Sequence, residues 1–172
     1  MPKSASSFRP ESDSSPGRAS VSPTLEIDSD GIGWITFDDA ERSLNVLAEP
    51  VMRRFAETLD SARAAGREGE IKVVVIRSGK SGSFIAGADV DQIAQLEDPS
   101  DAEQKIRLGQ AIFMDVETLP VPTVAAVHGV CLGGGVELAL ACTHRLLSDS
   151  KKTKIGLPEV MLGILPAWGG TS

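Results

Sequence analysis

The sequence of 172 residues contains no tyrosine, and aromatic residues make up only 4% of it. Proteins that bind single-stranded nucleic acid stack its bases on exposed aromatic rings, so this class is disfavoured. Basic residues are also few, since 17 Lys and Arg stand against 24 Asp and Glu, for a net charge of −7. Because nucleic-acid affinity depends on neutralising phosphates, we predict no nucleic-acid partner.

Cysteine and long apolar runs are equally scarce. Cys131 and Cys142 are too few for a disulfide framework or a four-thiolate metal site, so we predict two buried thiols and no metal. No apolar run approaches the roughly 18 residues that a membrane span needs. The N-terminus also lacks the apolar segment of a secretory signal. These absences favour a cytoplasmic protein without a membrane span.

The composition that is present is globular, with 41% hydrophobic and 24% charged residues. Residues 1–23 contain eight Ser and four Pro and predict a disordered leader. We therefore expect one folded domain over 24–172. The glycine-rich residues 169–172 are typical of a helix start with no helix after it, so we expect the domain to be truncated at its C-terminus.

Hydrophobic periodicity predicts the first elements. Alternating residues over 24–27 and 34–37, with a turn between them, indicate a β-hairpin with a bulge at Gly33. Helical spacing begins at Pro50 and stops at Gly66, which predicts the first helix. The β-branched run 73–76 is continuous rather than alternating, which indicates a strand covered on both faces.

The second half of the chain continues this alternation. A helix is predicted over 101–119, with Ile106 on its buried side, and a buried strand over 123–127. A helical segment over 136–142 and a third central strand at 146–147 follow. Strands that alternate with helices predict an α/β domain with a parallel sheet.

Two glycine-containing segments are candidate binding loops. The small residues of 84–89 follow a predicted strand, where ligands of parallel sheets bind, although a plain tight turn would have the same composition. The three glycines of 133–135 precede a helix, whose free N–H groups suit an oxyanion. Close packing between a strand and a helix is the alternative explanation for these glycines.

Two glutamates stand among apolar neighbours. Glu137 lies one turn into an apolar helix, and Glu159 follows a Leu-Pro pair. An apolar setting prepares a carboxylate for proton transfer near neutral pH. A single such glutamate is more often a surface or cap residue, but two of them, one beside a glycine-rich anion site, favour acid–base chemistry.

Together these segments resemble the crotonase (enoyl-CoA hydratase/isomerase) family. The residues that carry the resemblance lie at 84–89, 125–129, 132–139, 156–160 and 162–166. The Leu-Pro-Glu sequence at 157–159 and the long stretch between Glu137 and Glu159 are most similar to the hydratase portion of multifunctional fatty-acid oxidation enzymes. The resemblance implies the β-β-α spiral of the crotonase fold. At Trp168 the family usually has a smaller or different residue, and we expect the indole to narrow the acyl pocket or form its wall.

The resemblance also implies roles for particular residues. Glu137 would be the general base that activates water, and Glu159 would deliver a proton to the substrate. The N–H groups of Ala88 and Gly134 would form an oxyanion hole. The remaining substrate-binding residues would be Ala86, Gly87, Asp89 and Gly133.

The implied reaction is the hydration of a 2-enoyl-CoA thioester in fatty-acid β-oxidation. A double-bond isomerase and a non-catalytic acyl-CoA-binding fragment are the alternatives. The resemblance implies no cofactor for this chain, with NAD needed only if a dehydrogenase region follows. It implies an acyl-CoA substrate, and a homo-oligomer or a β-oxidation complex for the full-length protein.

Overall fold

The structure, a computed structural model, describes residues 22–94 and 98–171. The predicted leader therefore lies outside the described residues, except for Ser22 and Pro23. Ser22 is buried, and its hydroxyl accepts a hydrogen bond from the Asp38 N–H at 2.7 Å. Within the described parts of the chain, no helix is long and apolar enough to cross a bilayer.

Strands and helices are interspersed along the described chain, as the periodicity predicts, although two elements of the same type follow each other at several places. In chain order the elements are β1 (Thr24–Ile27), β2 (Ile32–Phe37), α1 (Glu49–Glu68), β3 (Val73–Ser78), α2 (Val90–Ala94), α3 (Pro99–Glu117), β4 (Thr123–Val127), β5 (Val130–Leu132), α4 (Gly134–Ala141), β6 (His144–Leu147), β7 (Lys154–Gly156) and a 3₁₀ helix (Pro158–Leu162).

The main sheet has five strands in the order β1-β2-β3-β4-β6. β1 is antiparallel to β2, while β2, β3, β4 and β6 run parallel, which confirms the α/β class with a largely parallel sheet. β5 and β7 form a separate parallel pair. One hydrophobic core joins the sheet to α1 and α3, and the rings of Phe37 on β2 and Phe55 on α1 meet edge to face at 5.1 Å.

The bulge predicted at Gly33 is wrong. The β1–β2 register is continuous from Thr24↔Thr36 to Ile27↔Gly33, with one residue opposite one residue throughout. A different constraint applies at this glycine, because a Cβ there would lie 2.9 Å from the Cδ1 atom of Ile71. The close approach of the Ile71 side chain, and not an irregularity in the β1–β2 pairing, explains why glycine stands at this position.

Helix α1 extends past its predicted end. Gly66 lies inside the helix, and Gly69 ends it in the left-handed conformation with φ of 80°. Glycine at this position costs no Cβ strain, which is why it commonly follows a helix. Gly66 instead packs against the segment that follows α3. A Cβ at this position would lie only 3.1 Å from Pro120 Cγ.

Burial of the strands also differs from prediction. In β3, Val74 and Ile76 are fully buried, but Val73 and Val75 are only half-buried, so the strand is covered well on one face. The core that α1 and α3 complete lies on that face. The strand predicted at 146–147 is not central, since β6 forms an edge of the sheet and is exposed along its length.

Two helix predictions need correction. Ile106 on α3 is 37% exposed rather than buried, because it lines a cavity. The helix predicted over 136–142 begins earlier, at Gly134. Gly134 and Gly135 therefore lie in the first turn of α4. The N–H groups at the start of a helix have no partner within the helix, and here they belong to the glycine run.

Candidate active site

The loop over 84–89 is held by main-chain hydrogen bonds to the segment that precedes α1. The Ala86 N–H donates to the Asn45 carbonyl at 2.9 Å, and the Leu47 N–H donates to the Gly87 carbonyl at 2.8 Å. The amide that follows Gly87 takes no part in this pairing, and the Ala88 N–H donates to no described residue. This amide is available to a ligand, as the predicted oxyanion hole requires.

The side chain of Asn45 anchors the same loop, a role that sequence reasoning missed. Its amide is 2% exposed, and its Nδ2 donates to the carbonyls of Phe37 and Phe84 at 3.0 and 3.1 Å and to Ser78 Oγ at 2.8 Å. Its Oδ1 accepts from the Asp39 N–H at 3.1 Å. One buried amide therefore joins the ends of β2 and β3 to the beginning of the binding loop.

The glycine run brings the backbone of α4 against this loop. Gly133 has φ of +50°, and a Cβ there would lie 2.7 Å from Glu159 Oε1 and 3.7 Å from Gly87 Cα. The Gly133 N–H donates to the Gly156 carbonyl at 3.0 Å, but the next amide, that of Gly134, has no acceptor among the described residues. Both predicted oxyanion-hole amides are thus unpaired, on segments that touch each other.

Glu137 is oriented by the turn that follows the 3₁₀ helix. The residue is only 4% exposed, and its Oε1 accepts hydrogen bonds from the Trp168 and Gly170 N–H groups at 2.7 and 2.9 Å. Its Oε2 accepts none from the part of the chain that the structure describes. Two donors on one oxygen fix the plane of the carboxylate and leave the other oxygen for chemistry.

Glu159 lies on the 3₁₀ helix and is 9% exposed. Its Oε2 is buried and has no hydrogen-bond partner among the described residues. A buried polar atom without a partner is costly and needs an explanation. Ser83 Oγ and Thr153 Oγ1 also lack partners among the described residues, but of the three only the Glu159 oxygen belongs to a residue that lines the cavity described below. Because Gly133 lacks a side chain, this carboxylate reaches the glycine run directly.

One cavity of about 770 Å³ connects these groups. It contains in its wall every residue predicted for the site, namely Ala86, Gly87, Ala88, Asp89, Gly133, Gly134, Glu137 and Glu159. Trp168, predicted at the wall of an acyl pocket, also lines it. Most of the other lining residues are apolar and come from α3 and from the segment 162–168, which suits an acyl chain.

Asp89 differs from the other predicted substrate-binding residues. It is 7% exposed, and its Oδ2 forms an ion pair with Arg42 Nη2 at 3.0 Å. Its Oδ1 also accepts a long hydrogen bond of 3.4 Å from the Gln92 N–H at the start of α2. These contacts support a role in holding the loop, and contact with substrate stays a prediction.

Among the residues described, no three or more His, Cys, Asp or Glu side chains are grouped so as to hold a metal ion. Cys131 and Cys142 are both buried free thiols, as predicted. Burial raises the pKa of Cys131 to about 11 and that of Cys142 to about 12. A neutral buried thiol is a poor nucleophile, so neither belongs to the site.

A profile of the enoyl-CoA hydratase/isomerase family matches residues 28–172. The chain belongs to this family. Among curated proteins, this crotonase-family chain is 46% identical over 144 residues to the fatty acid oxidation complex subunit alpha of Aliivibrio fischeri, covering 84% of this chain and 21% of that protein. It is 48% identical over 149 residues to the subunit of the same name from Idiomarina loihiensis, covering 86% and 20%. The crotonase-family chain thus spans about a fifth of the length of these relatives.

Solved structures confirm the crotonase fold. An enoyl-CoA hydratase from Bacillus anthracis superposes with a TM-score of 0.75 at 29% identity, covering 86% of this chain and 55% of that one. An enoyl-CoA hydratase from Geobacillus kaustophilus gives 0.78 at 32% identity, covering 88% and 55%. The recognition of the crotonase family from the motifs is therefore confirmed.

Proposed function

We propose that this chain carries an enoyl-CoA hydratase site that adds water across the double bond of a trans-2-enoyl-CoA to give a 3-hydroxyacyl-CoA. The observation that carries the proposal is the meeting of two buried carboxylates and two unpaired main-chain amides at one largely apolar cavity. The apolar wall suits the acyl chain, and the amides suit a thioester oxygen.

The amides of Ala88 and Gly134 would bind the thioester oxygen. Attack of water on C3 pushes negative charge through C2 onto this oxygen, and N–H donors that are already in place stabilise that charge without reorganisation. One such donor is typically worth about 2.7–4 kcal/mol of transition-state stabilisation. The position of Gly134 in the first turn of α4 adds the positive end of a helix dipole.

The two carboxylates would divide the proton transfers. Glu137, held through Oε1, would take a proton from water as the water oxygen bonds to C3, and Glu159 would deliver a proton to C2. The hydroxyl of water goes to C3 and the proton of Glu159 goes to C2, while the second proton of water stays on Glu137. Proton exchange with solvent would then return both side chains to their starting states. The buried Oε2 of Glu159 has no partner in the described chain, so it is available for contact with the substrate.

The names of the relatives support a place in fatty-acid β-oxidation. A protein called fatty acid oxidation complex subunit alpha shares 46% of its aligned residues with this chain. We infer that the chain acts on acyl-CoA in the cytoplasm as one portion of a longer polypeptide, in a β-oxidation complex or a homo-oligomer. Hydration itself requires no cofactor, and NAD would serve only a dehydrogenase portion.

Replacement of each carboxylate by its amide tests the assigned roles. Glu137→Gln and Glu159→Gln keep the size of the side chain but remove its ability to exchange a proton. We expect each to lower kcat for crotonyl-CoA by about 10²–10⁴-fold, the usual contribution of a positioned acid or base. The loss of enoyl-thioester absorbance measures the rate. Glu117→Gln, at the exposed end of α3 and outside the cavity, is the matched control.

The outcomes separate the alternatives. Wild-type rates in both glutamine variants would show that the roles are wrong. Conversion of a 3-enoyl-CoA with no hydration of crotonyl-CoA would identify an isomerase, which can operate with one carboxylate. Binding of acyl-CoA without turnover of either substrate would identify a non-catalytic binding fragment.

A further inference from the structure

The indole ring of Trp168 is packed between two helices at positions where both carry glycine. A Cβ on Gly134 of α4 would lie 2.7 Å from Trp168 Cζ3, and a Cβ on Gly109 of α3 would overlap Trp168 Nε1. Behind the ring, Phe113 meets it edge to face at 5.6 Å. The backbones of α3 and α4 and the ring of Phe113 therefore hold the indole in place.

This ring lies beside the reacting groups rather than at the far end of the cavity. The main-chain N–H of Trp168 donates to Glu137 Oε1 at 2.7 Å. The ring lies against Gly134, whose amide is assigned to the thioester oxygen. The adjoining carbonyl of Ala167 is held by Gln110 Nε2 at 2.8 Å, so the backbone of this segment is fixed from α3 as well. If Glu137 and the Gly134 amide act as proposed above, the wall that Trp168 forms would therefore lie close to C2 and C3 of a bound thioester.

Resting on the hydratase function proposed above, we propose that Trp168 selects unbranched enoyl thioesters by occupying the space that a methyl group on C3 would need. The backbones at Gly109 and Gly134 and the Phe113 ring lie against the indole, so a branched substrate has to displace it or bind out of place. A single methylene group in an apolar pocket changes kcat/KM by about 10- to 200-fold.

The test compares kcat/KM for crotonyl-CoA and 3-methylcrotonyl-CoA. Trp168→Leu keeps the main-chain amide that holds Glu137 and removes most of the ring, so we expect the preference for the unbranched substrate to fall by about tenfold or more. Trp168→Phe removes less of the ring and should lower the preference by a smaller factor. Differences in intrinsic reactivity between the substrates cancel when each variant is compared with the wild type.

Ile106→Ala is the matched control, because Ile106 is another apolar wall residue of the same cavity, on α3. Whatever this change does to both rates, the ratio between the substrates should stay at the wild-type value. An equal loss of preference in this control would show that general widening of the cavity, and not the Trp168 wall, controls the selection, and would overturn the inference.

The results distinguish this inference from the proposed function. If crotonyl-CoA is hydrated and both Trp168 variants keep the wild-type preference, the inference is wrong and the hydratase function stands. If thioesters bind without turnover, calorimetric dissociation constants for butyryl-CoA and 3-methylbutyryl-CoA test the inference, and a ratio unchanged in Trp168→Leu overturns it. If the wild type binds no acyl-CoA, the proposed function fails and the inference with it.

Discussion

Replacement of Asn45 by alanine tests how the binding loop is held in place. The substitution removes the side-chain amide that reaches the ends of β2 and β3 and the Phe84 carbonyl. The main-chain bond from the Ala86 N–H to the Asn45 carbonyl would remain. The change therefore isolates the contribution of one buried side chain to the position of the loop that carries the Ala88 amide.

The magnitude follows from the partners that would be left. The Phe37 carbonyl keeps a second donor, the Gly79 N–H at 2.8 Å, but the Phe84 carbonyl has no other donor in the described chain. An orphaned buried acceptor costs about 1–3 kcal/mol, and loss of the bond from the Asp39 N–H costs about 0.5–1.5 kcal/mol more. We expect the free energy of unfolding of Asn45→Ala to fall by about 1.5–4.5 kcal/mol.

Urea denaturation measures this change, since a lower midpoint with an unchanged slope reports stability alone. Ser78→Ala is the control, because it removes one partner of the Asn45 amide, together with the bond from the Lys80 N–H at 3.0 Å, and leaves both carbonyl contacts of Asn45 intact. We expect Ser78→Ala to lower the free energy of unfolding by less than half as much as Asn45→Ala. We also expect Asn45→Ala to lower kcat for crotonyl-CoA under conditions in which the variant is still folded. A destabilisation below about 0.5 kcal/mol, the range of ordinary surface changes, would refute the reasoning.

Two further predictions concern the glycine run and the thiols. Gly133→Ala should cost about 1–3 kcal/mol in urea denaturation and lower the hydration rate, because its φ of +50° is strained for alanine and its Cβ would meet Glu159. Gly82→Ala is the control, because a Cβ at Gly82 would have no atom within 4 Å. An equal loss of stability in the two variants would contradict the prediction for Gly133. Burial raises the pKa of Cys131 to about 11 and of Cys142 to about 12, so a disulfide reagent at pH 8 should label neither until urea is added. Rapid labelling of the folded chain would contradict that burial.

Local patterns predicted the class of the fold well and its details less well. Most of the predicted strands and helices occur near the predicted positions, because alternating and helical spacing follow from backbone geometry, whereas the short strands β5 and β7 were not predicted. The end of α1 was predicted too early because Gly66 and Gly69 look alike in sequence. Only packing against Pro120 makes the first an interior glycine, while φ of 80° makes the second a cap.

The burial of single residues was harder to predict. The run at 73–76 is uniformly apolar, yet only alternate side chains are fully buried, because the core with α1 and α3 lies on one face of the sheet. Ile106 follows the same helical spacing as the buried residues of α3, but it faces the cavity. Periodicity reports which residues share a face and not what that face meets.

The residues of the candidate site were named from motifs, and the structure places them around one cavity, but the residues that support them were not predicted. Asn45 was missed although a polar amide inside an apolar run was a usable signal, because its partners are distant in sequence. The donors that orient Glu137 come from a turn more than thirty residues away. No local pattern connects these groups.

The order of residues alone determined the α/β class, the positions of most elements, the two loops with small residues and the two glutamates of interest. These features depend on residue type and near-neighbour spacing, which the chain carries before it folds. The tertiary structure decided that the two amides are unpaired, that Glu137 is held through one oxygen, and that Trp168 lies against Gly134. Those facts depend on contacts between distant segments, whose geometry is set only when the core packs.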